Sequence, residues 1–314
     1  MYSQIVLREH ILDRKDFMLC EKIKQGGFDN VVLIENITTH VKYAAKVLKA
    51  DIFNQEMIDQ EIYLRIKANH STINKFVGFI DYDPQTVILV MKKSQNDSLM
   101  DVFTSKKILN NTTRQIILVG IAYSMAHLHK NMIYHRSLTP ECILLDKNYY
   151  PNITDFEFEK PLSRYFKIPI YSAPEYLKDK EFKDKSDVYS FGLIMYQIIT
   201  NQDPFPEVMS GKMSEVEFKF KVINANLRPK IPEEFNYSIA DLLSKCWSGD
   251  ADERPSFNEI YQKLYYDFNY HLDNVDTVNL FRYVSAIEMD SKEEVKLIQK
   301  AHNYKLNNSK FQST

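Results

Sequence analysis

Glycine is scarce in this chain: 7 residues in 314, where average usage of about 7% gives roughly 22. Two of the seven, Gly26 and Gly27, are adjacent near the start, so that point carries a requirement the rest of the chain lacks. Cysteine is scarcer still. Cys20, Cys142 and Cys246 are too few and too dispersed for a disulfide framework or a zinc cluster, which favours a reducing compartment. Neither sign of charge dominates, with 40 basic against 42 acidic residues. That balance excludes a global electrostatic footprint for nucleic acid or acidic lipid. The strongest apolar run, 191–199, is broken by Gln197 and falls far short of the roughly 18–20 residues of a membrane span. The opening segment MYSQIVLREH has no basic flank, apolar stretch or small-residue cleavage site of a secretion signal. A cytoplasmic location, or nuclear by default, is the expectation. No internal repeat and no low-complexity linker interrupts the chain.

Apolar residues make up 44% and charged residues 26%. A chain of this length and composition can bury a sizeable core, which rules out disorder as its overall state and predicts one large domain or two lobes. The first ninety residues carry strand-like runs at 31–35, 41–48 and 87–91, the last continuously apolar as in a buried strand. Between them, 54–67 reads as a helix, with Ile58, Ile62 and Ile66 four apart. From Ser98 onward the pattern turns helical. Thr112-Thr113-Arg114-Gln115 has the form of a capping box, followed by a stripe of Leu118, Ile121, Met125 and Leu128. The segment 187–200 is apolar nearly all round and predicts a core helix, with two more helices at 239–247 and 257–266. A tail beyond Tyr270 is more polar and predicted helical from 278 to about 302. Composition does not decide whether it packs on the body or holds a partner.

Seven motifs stand in order along this pattern: Tyr43-Ala44-Ala45-Lys46; Glu61 on the following helix; the run from His135 to Cys142; Asp155-Phe156-Glu157; Ala173-Pro174-Glu175; Ser186 to Gly192; and Cys246-Trp247 through Arg254-Pro255-Ser256-Phe257. From about Phe17 to Tyr266 the chain resembles the eukaryotic protein kinase family, most closely its tyrosine-kinase-like branch. The resemblance implies an α+β, two-lobed fold: a small β-rich N-lobe with one main helix (17–93) and a larger helical C-lobe (94–268). An N-terminal extension (1–16) and a partly helical C-terminal tail (269–314) flank it.

The resemblance also assigns roles. Lys46 would address phosphates and pair with Glu61, and Asp155 would hold Mg²⁺, for which a carboxylate is a suitable hard ligand. Gly26, Gly27, Val31, Ala44, Met91 and Leu144 would line the nucleotide site, with Met91 as gatekeeper and Lys92-Lys93-Ser94 as hinge. His135, Arg136, Phe156, Glu175, Asp187 and Arg254 are architectural positions. Glu175 is expected to pair with Arg254, and Asp187 to accept hydrogen bonds from the loop backbone. Arg65 falls about where a spine-forming leucine is usual.

Other positions depart from the family pattern. Ser137 stands where a catalytic aspartate is expected, and a neutral hydroxyl cannot serve as the base. General-base contributions are typically about 10²–10⁴-fold. Cys142 stands where an asparagine would hold a second Mg²⁺, and sulfur is a soft ligand. As a residue it reads as a small buried apolar group. Thr139 replaces a phosphate-neutralising lysine. In the phosphate-covering loop, Lys24 and Asp29 take glycine positions and leave Gly26 in place. Glu157 replaces the glycine after Phe156, and Lys167-Ile168 the usual Gly-Thr. The expected function is therefore a catalytically impaired pseudokinase, a signalling or regulatory binding module with weak or no ATP and Mg²⁺ binding. The alternative is an active ATP-dependent serine/threonine kinase with non-standard catalytic residues. Protein partners are expected; nucleic acid and membrane are not.

Overall fold

The computed structural model describes residues 7–26, 29–49, 53–94, 98–156 and 169–290, with side chains described outside 22–30. Five strands, β1 (Phe17–Gly26), β2 (Asp29–Asn36), β3 (Lys42–Lys49), β4 (Phe76–Asp83) and β5 (Thr86–Lys92), form one antiparallel sheet in the order β1-β2-β3-β5-β4. A single helix, α1 (Gln55–Lys67), lies between β3 and β4 in sequence. Asn54 caps it, its side-chain oxygen accepting from the Met57 amide at 2.9 Å. Ile58 and Ile62 sink into an apolar cluster with Leu48, Phe79, Val87 and Leu89, fastening the helix to one face of the sheet. The buried stripe of α1 is Ile58, Glu61, Ile62 and Arg65, the i, i+3, i+4, i+7 pattern of a helix face with two of its four positions charged.

The second lobe is helical: α2 (Leu99–Thr104), α3 (Asn111–Lys130), α4 (Pro174–Asp179), α5 (Asp184–Thr200), α6 (Pro206–Met209), α7 (Glu215–Asn224), α8 (Tyr237–Cys246), α9 (Phe257–Tyr266) and α10 (277–290). A short antiparallel pair, β6 (Ile143–Leu145) with β7 (Pro151–Ile153), lies at its top. In α5 every residue from 186 to 198 is buried, so this helix is the core around which the lobe is built. The N-lobe sheet and the helical lobe together make the α+β two-lobed fold.

Two helix starts differ from the sequence reading. The Thr112–Gln115 capping box does not form. Asn110 caps α3 instead, accepting from the Thr113 amide at 2.8 Å, and Thr112 Oγ1 accepts from the Asp276 amide at 2.9 Å. Helix α5 begins three residues ahead of Asp187, which thereby enters the first turn of a helix already running. The tail packs on the body through α10, whose Leu280, Tyr283, Val284 and Ile287 are buried. Tyr261 Oη donates to Glu288 at 2.8 Å. The predicted continuation of this helix to 302 lies outside the described residues.

Candidate active site

Several of the positions singled out above lie at the cleft where the lobes meet, on β3, on α1 and in the segment carrying Asp155 and Phe156. Strand β3 pairs on both edges, setting Lys46 opposite Val31 on β2 and Leu89 on β5, and Ala44 opposite Met91. Lys46 projects from the middle of this strand and is 2% exposed. Helix α1 brings Glu61 alongside, with Lys46 Nζ 3.6 Å from Glu61 Oε1. That is ion-pair reach but longer than a hydrogen bond. The same oxygen accepts from Arg65 Nη2 at 2.6 Å. The Arg65 guanidinium also lies over the Phe156 ring, 5.2 Å from its centroid. Between β1 and β2 the backbone sets Gly26 opposite Asp29 and Lys24 opposite Val31. Gly27, Glu157 and Lys167-Ile168 lie outside the described residues.

On the C-lobe side one buried carboxylate organises the loop. Asp187, 1% exposed, accepts from the backbone amides of His135 (2.8 Å) and Arg136 (2.9 Å) and meets His129 Nε2 at 2.9 Å. His135 Nε2 lies 2.9 Å from the Thr154 carbonyl, tying this loop to the segment carrying Asp155 and Phe156. Arg136 (φ 67°) and Asp155 (φ 60°) both sit in the left-handed region. That backbone is unfavourable for residues with a Cβ and persists only where the surroundings fix it. Leu144, on β6, is bridged to Ser98, and the Ser94 hydroxyl donates to the Leu145 carbonyl at 3.0 Å.

Ser137, Thr139 and Cys142 come together. Cys142 is 7% exposed, and its Sγ lies 3.5 Å from the Ser137 carbonyl oxygen and 3.6 Å from Thr139 Oγ1. The Cys142 amide donates to the Thr139 carbonyl at 3.0 Å, and the Thr154 amide to the Cys142 carbonyl at 2.9 Å. Below the loop opens a cavity of about 590 Å³ lined by Arg136, Ser137, Thr139, Tyr171, Ala173 and Met209, among others. Tyr171 is kept protonated there, its pKa raised well above the ordinary value by burial and then by the charges of Glu141 and Asp203. Its hydroxyl donates to Gln197 at 2.5 Å.

A model of the protein kinase domain matches residues 17–266. The chain belongs to the protein kinase domain family. It is similar to a dual specificity protein kinase, pyk3, of Dictyostelium discoideum, 35% identical over 253 residues, which cover 78% of this chain and 18% of that protein. It is also similar to the serine/threonine-protein kinase STY17 of Arabidopsis thaliana (24% identical over 262 residues, 81% and 45% covered). A third relative is the dual specificity protein kinase shkB of D. discoideum (28% over 254 residues, 76% and 38%). The chain spans less than half the length of each of these relatives.

Protein kinase domains use ATP and Mg²⁺, and the donor set here fits that pair unevenly. Asp155 is a half-buried carboxylate suited to Mg²⁺. Cys142 is not: its sulfur is soft, buried and in contact with the loop's own Thr139 and Ser137. Among the described residues no group of three His, Cys, Asp or Glu side chains converges as a metal site, and no helix is long and apolar enough to cross a membrane. Sequence reasoning missed three partners: Arg65 on Glu61, His129 on Asp187, and Ser186, whose hydroxyl donates to Glu175 at 2.6 Å. Arg65 left a signal, being a charged residue one helical turn beyond Glu61 on the face that carries Ile58 and Ile62.

Proposed function

We propose that this protein is a kinase-fold binding and regulatory module of the tyrosine-kinase-like branch, impaired in phosphoryl transfer and weak in its hold on ATP and Mg²⁺. The observation that carries the reading is the Ser137–Thr139–Cys142 cluster. Where transfer needs a carboxylate base, a cation and a hard metal ligand, the loop has two hydroxyls and a thiol. The sulfur is buried against the other two residues. Nothing in that set can bear charge on a transferring phosphoryl group, and catalysis of this step is almost entirely positioning and electrostatics. Its partners on this reading are proteins, and its place is the cytoplasm, in keeping with three dispersed free cysteines.

A second reading, an active serine/threonine or dual-specificity kinase, is favoured by Lys46, Glu61 and Asp155 and by the names of the relatives. A radiolabelled transfer assay of wild type against Lys46→Met separates the two. The module reading expects both at background. Labelling by wild type that Lys46→Met abolishes establishes the active kinase. A thermal-shift titration with ATP, with and without Mg²⁺ or Mn²⁺, measures how weak nucleotide binding is.

A further inference from the structure

Glu61 carries one negative charge, and two buried cations reach for it through the same oxygen. Lys46 is 3.6 Å away and Arg65 is 2.6 Å away. The shorter contact is a charge-assisted hydrogen bond; the longer is an attraction without one. Arg65 sits on the same helix, four residues beyond Glu61. With the acid N-terminal to the base, this is the favourable order for such a pair. Glu61 therefore carries its neutraliser within α1 and does not depend on β3 for it.

Arg65 does a second thing. Its side chain is 3% exposed, and the flat guanidinium covers the Phe156 ring at 5.2 Å, within cation–π range. Phe156 is itself 2% exposed, next to Asp155 with its left-handed backbone. Among the described residues Arg65 Nε has no hydrogen-bond partner, which is costly for a buried donor. An aliphatic side chain at this position would avoid that cost. The bond to Glu61 and the cation–π contact with Phe156 are what offset it.

We infer that Arg65 is a positioning residue that pins α1 to the Asp155–Phe156 segment and takes over Glu61 from Lys46, so that the placement of the helix is independent of what Lys46 binds. The inference rests on the proposed reading only in taking this cleft as the nucleotide site. It gives that reading a physical form: a module held in one state without a ligand to hold it.

Amide hydrogen exchange on the full chain, without nucleotide, tests it. Arg65→Met keeps an unbranched apolar stem but neither bond nor stack. It is expected to speed exchange over 55–67 roughly ten- to hundredfold and over 153–156 several-fold. Lys46→Met is expected to change exchange over 55–67 by less than about twofold. Arg65→Lys can still reach Glu61, but its compact ammonium cannot bond that carboxylate and lie over the Phe156 ring at once, as the broader guanidinium does. It should retain protection over 55–67 and lose it over 153–156. The inference is overturned if Lys46→Met loosens α1 as much as Arg65→Met does, or if Arg65→Met leaves 153–156 unchanged. Should Arg65→Met fail to fold, the contrast between Arg65→Lys and Lys46→Met decides alone. Exchange reads conformation whether or not phosphate is transferred, so a labelling result against the module reading leaves this test standing.

Discussion

The Arg254 guanidinium meets the Glu175 carboxylate through two parallel hydrogen bonds, Nη1 to Oε1 at 2.8 Å and Nη2 to Oε2 at 2.9 Å. Arg254 is wholly buried and also donates to the carbonyls of Ser248 and Lys185, so α4 is tied to the start of α5 and to the turn before α9 at one point. Burial alone would raise the Glu175 pKa. The hydrogen bonds from Arg254 and Ser186 outweigh it and hold the carboxyl below its ordinary value. Glu175→Ala leaves the guanidinium buried and unpaired, a change that typically costs about 3–5 kcal/mol. A clearly lowered chemical-denaturation midpoint is expected, and an unchanged one would contradict the buried pairing.

Stability is also expected to fall in mild acid through His70. The ring is 4% exposed, 4.1 Å from the His127 ring and 5.6 Å from Tyr123. Burial first, and the neighbouring His127 second, pull its pKa down to about 3. Well above pH 6.5 the ring is neutral whether the chain is folded or not. As pH drops from 6.5 toward 3 the unfolded chain gains a proton that the folded chain refuses, and stability is lost. By pH 5 the loss is about 2 kcal/mol from this residue. Denaturation midpoints at pH 7 and pH 5 measure it, and His70→Gln should flatten the difference; an equally steep fall in that variant would assign the effect elsewhere.

Repair of the catalytic loop should fail one residue at a time. Ser137→Asp restores a carboxylate but neither the cation nor the hard ligand, and groups that act as a unit are not additive. Its transfer rate should stay within about twofold of wild type, while the triple change Ser137→Asp, Thr139→Lys, Cys142→Asn should exceed the single by roughly tenfold or more. Equal rates in the single and the triple variant would mean that the loop chemistry is not what limits this protein.

Gly120 tests the docking of the tail. A Cβ there would meet the Tyr283 hydroxyl and lie 2.5 Å from Pro151 Cγ. Alanine would gain roughly 1 kcal/mol of helix propensity in α3 but would force the tail tyrosine or β7 to move, typically about 1–3 kcal/mol the other way. Gly120→Ala should therefore destabilise the fold and speed proteolysis near α10. A stabilised variant would show that Tyr283 yields freely.

Local pattern was enough for the framework. The isoleucine spacing of α1, the unbroken apolar run of α5 and the ordered motifs from Lys46 to Arg254 are properties of neighbouring residues, and each predicts its element or its place in the fold without knowledge of the rest. The residue types at 137, 139 and 142 are likewise legible directly: two hydroxyls and a thiol, with no carboxylate, lysine or amide among them. Tertiary structure decided the partners. Asn110 caps α3 in place of the legible box, and the Thr112 hydroxyl, inside the first turn, accepts instead from the tail at Asp276. Gln115, wholly buried in α3, is satisfied by the Leu264 carbonyl and the Leu272 amide, groups far away in the chain. Arg65 rather than Lys46 holds Glu61 because about an ångström separates a hydrogen bond from an attraction. The Arg65 contact follows from the i, i+4 spacing within α1, whereas the longer Lys46 distance is set by how α1 packs against the sheet, which no local spacing encodes.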